Sequence, residues 1–396
     1  MPLPPGGPLP SASPLILVFS SRLNWDLRPN RLSALLEEKR RAGTQVLDLT
    51  ESNPTRVGLS YPAEDILNAL ADPRVMRYDP APRGLATARD AVSGYYARRF
   101  KDVPPARILM TASTSEAYGY LFKLLADPGD EILAPRPSYP LFEFLAALES
   151  VKVRQYPLRY DGAWHIDFEM LERSITERTR AIVVVSPNIP TGSSVKKDEF
   201  ERLQSLGIPI IVDEVFSDYA FFETKPVHPR TLTFSLNGLS KIAGLPQIKI
   251  GWIVADGAGH QGALDCLELI ADTYLSVSTP AQIALPKLLE AADSVRAQIV
   301  IRTAENLRHL CAACAGSPMQ VLNRESGWNA ILQVPRTRTE EERVLSLLAN
   351  HDVLVQPGFY FDFESEAFLV VSLLTQPEVF EEGIRRLLGE ERSLLQ

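Results

Sequence analysis

Short runs of apolar, β-branched residues alternate with helical patterns through the middle of this chain. The run Ala-Ile-Val-Val-Val at residues 181–185 is one example, and such uninterrupted runs are typical of strands buried on both faces of a sheet. The alternation predicts an α/β domain with a largely parallel sheet. Its predicted strands are residues 107–111, 131–134, 151–156, 181–186, 208–213 and 231–236.

The two ends of the chain have different patterns. A lead-in rich in proline and glycine predicts disorder, and the next segment predicts a helix and a short strand that form an N-terminal arm. After residue 279 a long helical pattern gives way to alternating strands and helices, which predicts a smaller α+β domain. The predicted divisions are a lead-in at 1–14, an arm at 15–50 that packs with the small domain, a large domain at 51–279 and a small C-terminal domain at 280–396.

Composition and charge exclude several classes of protein. Hydrophobic residues make up 45% of the chain and charged residues 23%, as in ordinary globular proteins. The net charge of −8 gives no general attraction to nucleic acid or to an anionic membrane. No run approaches the roughly 20 apolar residues that cross a bilayer, and residues 15–19 lack the preceding cation of a signal peptide. Three cysteines and five scattered histidines predict a cytoplasmic protein without disulfides or a metal site.

Four polar segments follow predicted strands, which is where ligands bind in such sheets. The segment 111–117 offers hydroxyl and N–H groups for an anion, although simple helix capping would explain it too. Asp213 ends a buried strand and needs a cationic or N–H partner. Lys241 follows another strand, where it is either a nucleophile or a solvated loop residue. The Pro/Gly turn at 186–192 indicates little by itself.

Taken in order, these segments resemble those of the fold-type-I, pyridoxal-phosphate-dependent aminotransferases of class I and II, over about residues 48–388. The resemblance implies a large domain with a mostly parallel seven-stranded sheet and a smaller α+β C-terminal domain. It also implies pyridoxal 5'-phosphate as cofactor and a homodimer whose subunits share active sites. The matching segments are Tyr78-Asp-Pro-Ala-Pro-Arg-Gly84, Ser113-Thr-Ser-Glu-Ala117, Pro128-Gly-Asp-Glu131, Pro137-Ser-Tyr-Pro140, Pro190-Thr-Gly192, Asp213-Glu-Val-Phe216, Ser240-Lys241, Gly244-Leu-Pro246 and Gly251-Trp252.

The resemblance implies a role for each residue that matches a family motif. Lys241 is expected to bind the cofactor as a Schiff base and to act as the catalytic base, and Asp213 to pair with the pyridine nitrogen. Trp328 is expected to line the substrate pocket, unless it belongs only to the core of the small domain. The remaining expected contacts are Tyr139 against the ring, Ser113, Thr114, Ser115, Ser240 and Lys249 at the phosphate, and Tyr78 reaching the phosphate from the partner subunit.

Two departures from the family pattern concern the cofactor's phenolic oxygen. Ile189 and Phe216 stand where the family has an asparagine and a tyrosine that donate to it. Asn188, one residue earlier, is a partial substitute. Without both donors, we expect the protonated Schiff base to persist to higher pH than usual, because nothing competes for the phenolate.

Two further departures concern cations. Val370 occupies the position of the arginine that binds the substrate α-carboxylate in the family, and valine cannot form a bidentate pair. Arg56 is our preferred substitute and Arg83 the second, with a solvated surface role equally open for each. Lys249 stands where the family has an arginine. The lysine keeps the positive charge but cannot form the two parallel hydrogen bonds of a guanidinium.

These residues lead to three functional hypotheses. The favoured one is an aminotransferase that moves an amino group between an amino acid or amine and a 2-oxo acid by a ping-pong mechanism. The second keeps the cofactor but is a lyase, decarboxylase, oxidase or cyclase, since one fold can host several chemistries. The third is a cofactor-binding sensor without catalysis, which the retention of Lys241, Asp213 and Tyr139 disfavours.

Overall fold

The strands of the molecule form one large sheet and two small ones in this computed structural model, which describes residues 19–99, 101–220 and 229–393. The lead-in predicted at 1–14 lies outside the described residues. The strands are β1 (Leu47–Asp48), β2 (Ile108–Thr111), β3 (Glu131–Arg136), β4 (Lys152–Tyr160), β5 (Trp164–Ile166), β6 (Thr179–Val185), β7 (Ile210–Asp213), β8 (Thr233–Gly238), β9 (Gly251–Asp256), β10 (Gln320–Val321), β11 (Asn329–Gln333), β12 (Val353–Leu354), β13 (Gln356–Pro357) and β14 (Phe368–Ser372).

Helices connect most of the strands of the large sheet and form much of the C-terminal region. Several begin with a side chain that caps the first turn, as Thr339 does by accepting a hydrogen bond from the backbone N–H of Glu342. The α-helices are α1 (Arg31–Arg41), α2 (Ala63–Leu70), α3 (Ala86–Ala97), α4 (Thr114–Leu125), α5 (Phe142–Leu148), α6 (Phe168–Ser174), α7 (Lys197–Ser205), α8 (Leu239–Ile242), α9 (His260–Tyr274), α10 (Thr279–Cys314), α11 (Glu340–His351) and α12 (Pro377–Ser393).

The large sheet has the strand order β2-β9-β8-β7-β6-β3-β4-β5 within the described part of the chain. Neighbours from β8 to β4 run parallel, whereas β9 is antiparallel to both β2 and β8. The predicted α/β class is therefore confirmed. The sheet has eight strands rather than the expected seven, because β5 turns back and pairs with the end of β4.

Both faces of the large sheet are covered, as its apolar strands predicted. In β2, Leu109 packs on the face covered by α4 and α9, while Ile108 and Met110 pack with α2, α3 and the first part of α10. In β9, Trp252 joins the second face and Ile253 the first. Successive side chains point to opposite faces of a strand. A strand that is buried on both faces therefore needs apolar residues at successive positions.

The N-terminal arm packs against the C-terminal part of the chain. Leu32 of α1 and Leu49 belong to the same apolar cluster as Leu347 and Leu369, and β1 pairs with β12 in parallel. The 36-residue helix α10 begins in the core of the large sheet and ends in this cluster. A domain boundary near residue 279 falls at the start of a helix shared by both regions, and the predicted boundaries remain a prediction.

None of the helices within the described ranges has the length and apolar character that a membrane crossing requires. In the small antiparallel sheet β10-β11-β14-β13, Val370 is the middle residue of β14, and Trp328 directly precedes β11. Trp328 packs with Phe216, and Val370 packs with Trp164 of β5, so this sheet contacts side chains of the large domain.

Candidate active site

The register of the large sheet gathers four of the predicted segments at one edge. Thr111 of β2 pairs with Gly251 of β9, and Gly251 pairs with Gly238 of β8. On the next strand, Asp213 at the end of β7 pairs with Leu236 of β8. The segments that follow these residues are separated by up to about 140 positions in the chain, yet they meet at the carboxyl ends of the parallel strands, where ligands bind in such sheets.

Asp213 is a buried carboxylate held by two hydrogen bonds. The backbone N–H of Val215 donates to its Oδ1 over 3.1 Å, and the hydroxyl of Tyr118 donates to its Oδ2 over 3.0 Å. Burial raises the pKa of Asp213 to about 6, against the lowering effect of these bonds and of Lys241. Sequence reasoning missed Tyr118, because nothing in the pattern of α4 distinguishes a tyrosine that reaches a neighbouring strand from one that fills the core.

Lys241 lies on the short helix α8 against two aromatic rings. Its Nζ is 5.1 Å from the ring centroid of Trp328 and 5.5 Å from that of Phe216. Burial lowers the pKa of Lys241, and the charge of Asp213 opposes this shift. The hydroxyl of Tyr219 donates to the backbone carbonyl of Lys241 over 2.6 Å. The lysine is thus held at its backbone and partly stripped of water at its amine.

Trp328 lies directly beside Lys241, and it is also fully buried. Its ring packs edge-on against Phe216 and Tyr219, with centroids 5.2 Å apart in both pairs. Its indole Nε1 is buried and has no hydrogen-bond partner in the described part of the chain. A buried N–H without an acceptor is costly, so this donor is a candidate contact for a ligand oxygen.

The start of α4, where the sequence predicts an anion site, forms a normal helix cap. The Oγ of Ser113 accepts a hydrogen bond from the backbone N–H of Glu116, Thr114 is half-buried and Ser115 is exposed. Gly251 lies against this turn, since a Cβ there would come within 3.2 Å of Ser113 and of Thr111. A side chain at this position would force its neighbours to shift, so glycine favours the close approach of β9 to the helix N-terminus.

Two further predicted phosphate ligands come from neighbouring turns. Ser240 is the second residue after β8 and is half-buried, and Lys249 is the second residue before β9 and is exposed. Lys249 has the left-handed backbone conformation, with φ of 56°. Because Gly238 and Gly251 are paired in register, both side chains start from the edge of the sheet where α4 begins.

Tyr139 and Asn188 lie on the loops that follow β3 and β6. Burial raises the pKa of Tyr139 to about 12, and the charge of Asp213 adds to this rise. The ring of Tyr139 packs edge-on against Phe142, which also contacts Tyr118, the partner of Asp213. The amide of Asn188 donates to Pro137 O over 3.0 Å and to Thr191 Oγ1 over 2.8 Å. Both of its N–H groups are therefore engaged, and a bond from Asn188 to a cofactor would require one of them to break.

Tyr78 and Arg56, two of the predicted ligands, are both exposed in the single chain. Tyr78 is 73% exposed. Arg56 is exposed on a loop whose next residue, Val57, packs in the cluster of Phe216 and Trp328.

Arg83 corrects our expectation of a second substrate ligand. Its guanidinium donates to Glu268 over 2.6 Å and to Asp265 over 2.9 Å, and both carboxylates belong to α9. These ion pairs occupy the fork that a substrate carboxylate would need. The structure therefore does not offer Arg83 to the site.

The wall beyond Trp328 is apolar. Ile189 packs both with the cluster of Phe216 and Trp328 and with the cluster that contains Val370. Val370 is fully buried and is paired with Ile331 across the small sheet. Val370 therefore lies inside this wall, and the half-buried Ile189 is the member that a ligand could meet; neither side chain offers a cation to a carboxylate.

The donor set fits pyridoxal 5'-phosphate. A buried carboxylate suits a protonated ring nitrogen, a desolvated lysine suits an aldehyde, and a helix N-terminus with hydroxyls suits a phosphate. The indole N–H of Trp328, buried without a partner among the described residues, is an additional donor for an oxygen of a bound molecule. The described residues contain no group of three or more His, Cys, Asp or Glu that could hold a metal ion.

Comparison with known proteins agrees with this assignment. The family model for aminotransferase class I and II matches residues 44–387. Glutamate-pyruvate aminotransferase AlaA of Escherichia coli K12 is 30% identical over 273 residues, which span 66% of this chain and 66% of that protein, just under two thirds of its length. The protein of the same name from Haemophilus influenzae is 26% identical over 92% of this chain and 94% of its own.

A solved structure shows the same fold. Alanine aminotransferase from Pyrococcus furiosus superposes with a TM-score of 0.85 at 24% sequence identity, covering 95% of this chain and 100% of the other. At this identity the likeness concerns the fold alone. The expected fold type is confirmed.

Proposed function

This chain belongs to the class I and II aminotransferases, and from that premise we propose that it transfers an amino group between an amino acid or amine and a 2-oxo acid, with pyridoxal 5'-phosphate as cofactor. The observation that carries the proposal is the placement of Lys241 and Asp213 at one sheet edge, where burial lowers the pKa of the lysine and raises that of the carboxyl. Burying two such charges costs stability, and a catalytic role gives them a use.

Each residue of the site has a distinct task in this reaction. When bound, pyridoxal phosphate supplies an electrophilic carbon and an electron-withdrawing ring. Nζ of Lys241 accepts the proton from the substrate carbon, since its lowered pKa leaves more of the amine uncharged near neutral pH. The carboxylate of Asp213 accepts the ring N–H, and the rings of Phe216 and Trp328 exclude water from Nζ.

The start of α4, together with neighbouring side chains, is proposed to hold the phosphate. The backbone N–H groups and hydroxyls of residues 113–115 point to an anion because a helix N-terminus carries partial positive charge. Ser240 and Lys249 add a hydroxyl and a charge from the adjoining turns. Tyr139 is proposed to lie against the ring, supported by its packing on Phe142, which also contacts Tyr118.

A single half-reaction tests transamination directly. The enzyme is mixed with an amino donor in the absence of an acceptor, and the oxo product is measured. We expect about one equivalent of product per subunit, and further product only after a 2-oxo acid is added, as a ping-pong mechanism requires. Lys241→Ala is the control and should give none. Product that accumulates beyond one equivalent without acceptor would instead support the lyase, decarboxylase, oxidase or cyclase alternative.

We propose that the amino donor has an apolar side chain and that Arg56 binds its α-carboxylate. The apolar wall of Ile189 and Val370 supports the first part. Arg56 is exposed next to Val57, which packs with Phe216 and Trp328, and this supports the second. The names of the curated relatives, glutamate-pyruvate aminotransferases, indicate small 2-oxo acids as acceptors to test first.

Paired donors separate these two contributions. Phenylalanine and 2-phenylethylamine share a side chain and differ in the carboxylate. Arg56→Gln should raise the KM for phenylalanine about tenfold or more, since a charged hydrogen-bonded pair is lost, and should leave the KM for the amine unchanged. Arg28→Gln, which removes another exposed arginine, serves as the control. Equal effects on both donors would contradict the role of Arg56.

We also propose a homodimer with shared sites and a cytoplasmic location. Tyr78 and Met76 are 73% and 88% exposed, and large apolar side chains exposed together are typical of interfaces. Tyr78 lines one cavity with Tyr120 and Leu275, so an approaching subunit would meet a concave surface. All three cysteines are free thiols, which fits a reducing compartment.

A further inference from the structure

A tyrosine outside the matching segments named above contacts the Asp213 carboxylate. Tyr118 lies on α4 and is 2% exposed, and its hydroxyl donates to Oδ2 of Asp213 over 3.0 Å. Burial and the neighbouring charge raise the pKa of Tyr118 well above its ordinary value. The phenol therefore stays protonated at every pH of interest, and it is always the donor in this bond.

The position of this hydroxyl is fixed by packing. The ring of Tyr118 meets Phe142 edge-on, with centroids 5.4 Å apart, and packs against Phe122 at 5.9 Å. Aromatic contacts of this kind hold a ring in one orientation. The hydroxyl can therefore hold Asp213 in one rotamer, together with the backbone N–H of Val215 on the other oxygen.

The same helix carries the proposed phosphate site. Thr114 is four residues before Tyr118, so the two lie on one face of α4 about 6 Å apart along its axis. One rigid element thus connects the group that binds the phosphate with the group that holds Asp213. The spacing between the two ends of the cofactor site is then determined by a single helix.

We propose that Tyr118 is a positioning residue that orients the Asp213 carboxylate and keeps it ionised for the ring nitrogen of the cofactor. This inference rests on the proposed function, because it assigns Asp213 to that nitrogen. The other groups that act on Asp213 are the Val215 N–H and Lys241, which favour the ionised form, and Glu214, which opposes it; the charge of Asp213 also raises the pKa of the Tyr139 phenol. Of the groups that favour ionisation, the Tyr118 hydroxyl is one that can be removed without changing a charge.

Tyr118→Phe tests the inference through cofactor binding. The dissociation constant of pyridoxal phosphate is measured between pH 5.5 and 8.5 by equilibrium dialysis. Loss of the hydroxyl should raise the pKa of Asp213, so affinity at pH 7 should fall about tenfold, which corresponds to one hydrogen bond to a charged group. The pH below which affinity falls should also move upward. Binding affinity is independent of turnover, so this readout does not depend on the reaction assay.

Tyr156→Phe is the matched control. Tyr156 is a fully buried tyrosine of β4, and its hydroxyl donates to Val183 O over 2.8 Å. Its loss should cost a similar amount of stability and leave the pH profile of binding unchanged. Equal dissociation constants and equal profiles for the two variants would overturn the inference.

Asp213→Asn provides a second arm. If Tyr118 acts through the Asp213 charge, then Tyr118→Phe should have little further effect in the Asp213→Asn background. An undiminished tenfold effect in that background would overturn the inference. Failure of the proposed function is distinguishable, since it would appear as wild-type enzyme that binds the cofactor but transfers no amino group.

Discussion

Burial acts in opposite directions on the two charged side chains of the site. It raises the pKa of Asp213 to about 6 and lowers the pKa of Lys241, and each charge partly reverses the shift of the other. An acid and an amine whose pKa values move toward neutrality are suited to proton transfer at physiological pH. The same desolvation weakens the fold, because the charged form of each group loses hydration that its partners only partly replace.

Asp213→Asn should therefore stabilise the cofactor-free protein while abolishing its function. The folded-state pKa of about 6 exceeds the ordinary value of 3.8, so the ionised carboxylate opposes folding above pH 6 by about 1–3 kcal/mol. We expect the variant to be more stable than wild type by this amount at pH 7.5 in urea unfolding.

The pH dependence supplies the check on this expectation. The folded wild-type protein binds more protons than the unfolded chain. The difference in unfolding free energy between the variant and wild type should therefore shrink as pH falls through about 6 and vanish below about 4. A variant that is less stable than wild type at pH 7.5, or a difference that does not change with pH, would contradict the assigned shift.

Trp328→Phe should separate ligand contact from packing. The substitution keeps an aromatic ring beside Lys241 and removes the buried N–H that lacks a partner in the described structure, together with part of the indole ring. We expect the free energy of unfolding to fall by about 1–3 kcal/mol, because the smaller ring leaves a cavity at a fully buried site. The KM for the amino donor should rise about three- to tenfold if this N–H donates to the substrate.

Trp164→Phe is the control for this measurement. Trp164 is also buried, and its Nε1 also has no partner among the described residues, but its ring packs against Tyr160 and Phe363 instead of Lys241. An equal rise in KM for both variants would mean that the effect is transmitted through packing.

At the scale of elements, a buried charge network fixes the turn after β7. The carboxylate of Asp218 accepts hydrogen bonds from Arg99 over 2.6 and 2.8 Å, from Tyr95 over 2.9 Å and from Arg296 over 3.2 Å. These partners come from α3, from the residues just after it and from α10, so three elements converge on one turn. The next residue, Tyr219, holds the backbone of Lys241, which links this network to the site.

Asp218→Asn should destabilise the protein strongly. The side chain of Asp218 is 1% exposed; its loss would leave Arg99 without its anion, while Arg296 would keep an ion pair with Asp293. Breaking a buried ion pair in this way costs about 3–5 kcal/mol, which denaturant unfolding at pH 7 would measure. Asp26→Asn, which removes an exposed ion pair with Arg28, should leave stability almost unchanged, because water and salt screen exposed pairs. A loss for Asp218→Asn as small as that of the control would show that the network is solvated in solution.

At the scale of the whole molecule, Tyr78, a proposed ligand of the cofactor phosphate, lies at the surface of the single chain. Tyr78 is exposed, as are Tyr274 and Leu275, and Tyr78 and Leu275 line the same cavity. A net charge of −8 does not prevent two copies from associating through an apolar surface, because charge repulsion between dispersed surface groups is screened by salt. A second subunit is the partner that would bring Tyr78 to a phosphate.

Hybrid dimers test whether Tyr78 acts across an interface. Lys241→Ala and Tyr78→Ala subunits are each expected to have little activity, and they are mixed, unfolded together and refolded. A hybrid contains one site with Lys241 from one subunit and Tyr78 from the other, so activity should recover to about a quarter of wild type after random pairing. No recovery from a mixture shown to contain hybrids would mean that each chain uses its own Tyr78.

Much of the fold could be predicted from the chain because the parallel strands are apolar on both faces. The strand predicted at 208–213 is observed as Ile210–Asp213, and that at 231–236 as Thr233–Gly238. The strands at Gly251–Asp256 and Trp164–Ile166 were not predicted; the first contains the Gly-Trp motif but was not identified as a strand. A strand of three residues is too short to show a hydrophobic period, and its pairing with β4 depends on the tertiary structure.

The sequence by itself determined the α/β class, the order of the strand-end segments and the presence of Lys241 and Asp213 at two of them. Only the tertiary structure decided where side chains point. In the structure the Tyr118 hydroxyl donates to Asp213, and Trp328 lies beside Lys241. Both amide hydrogens of Asn188 are engaged, and Arg83 is paired with carboxylates of α9. The physical reason is that periodicity reports which face of an element is buried, whereas a hydrogen bond depends on distances between elements that lie far apart in the chain.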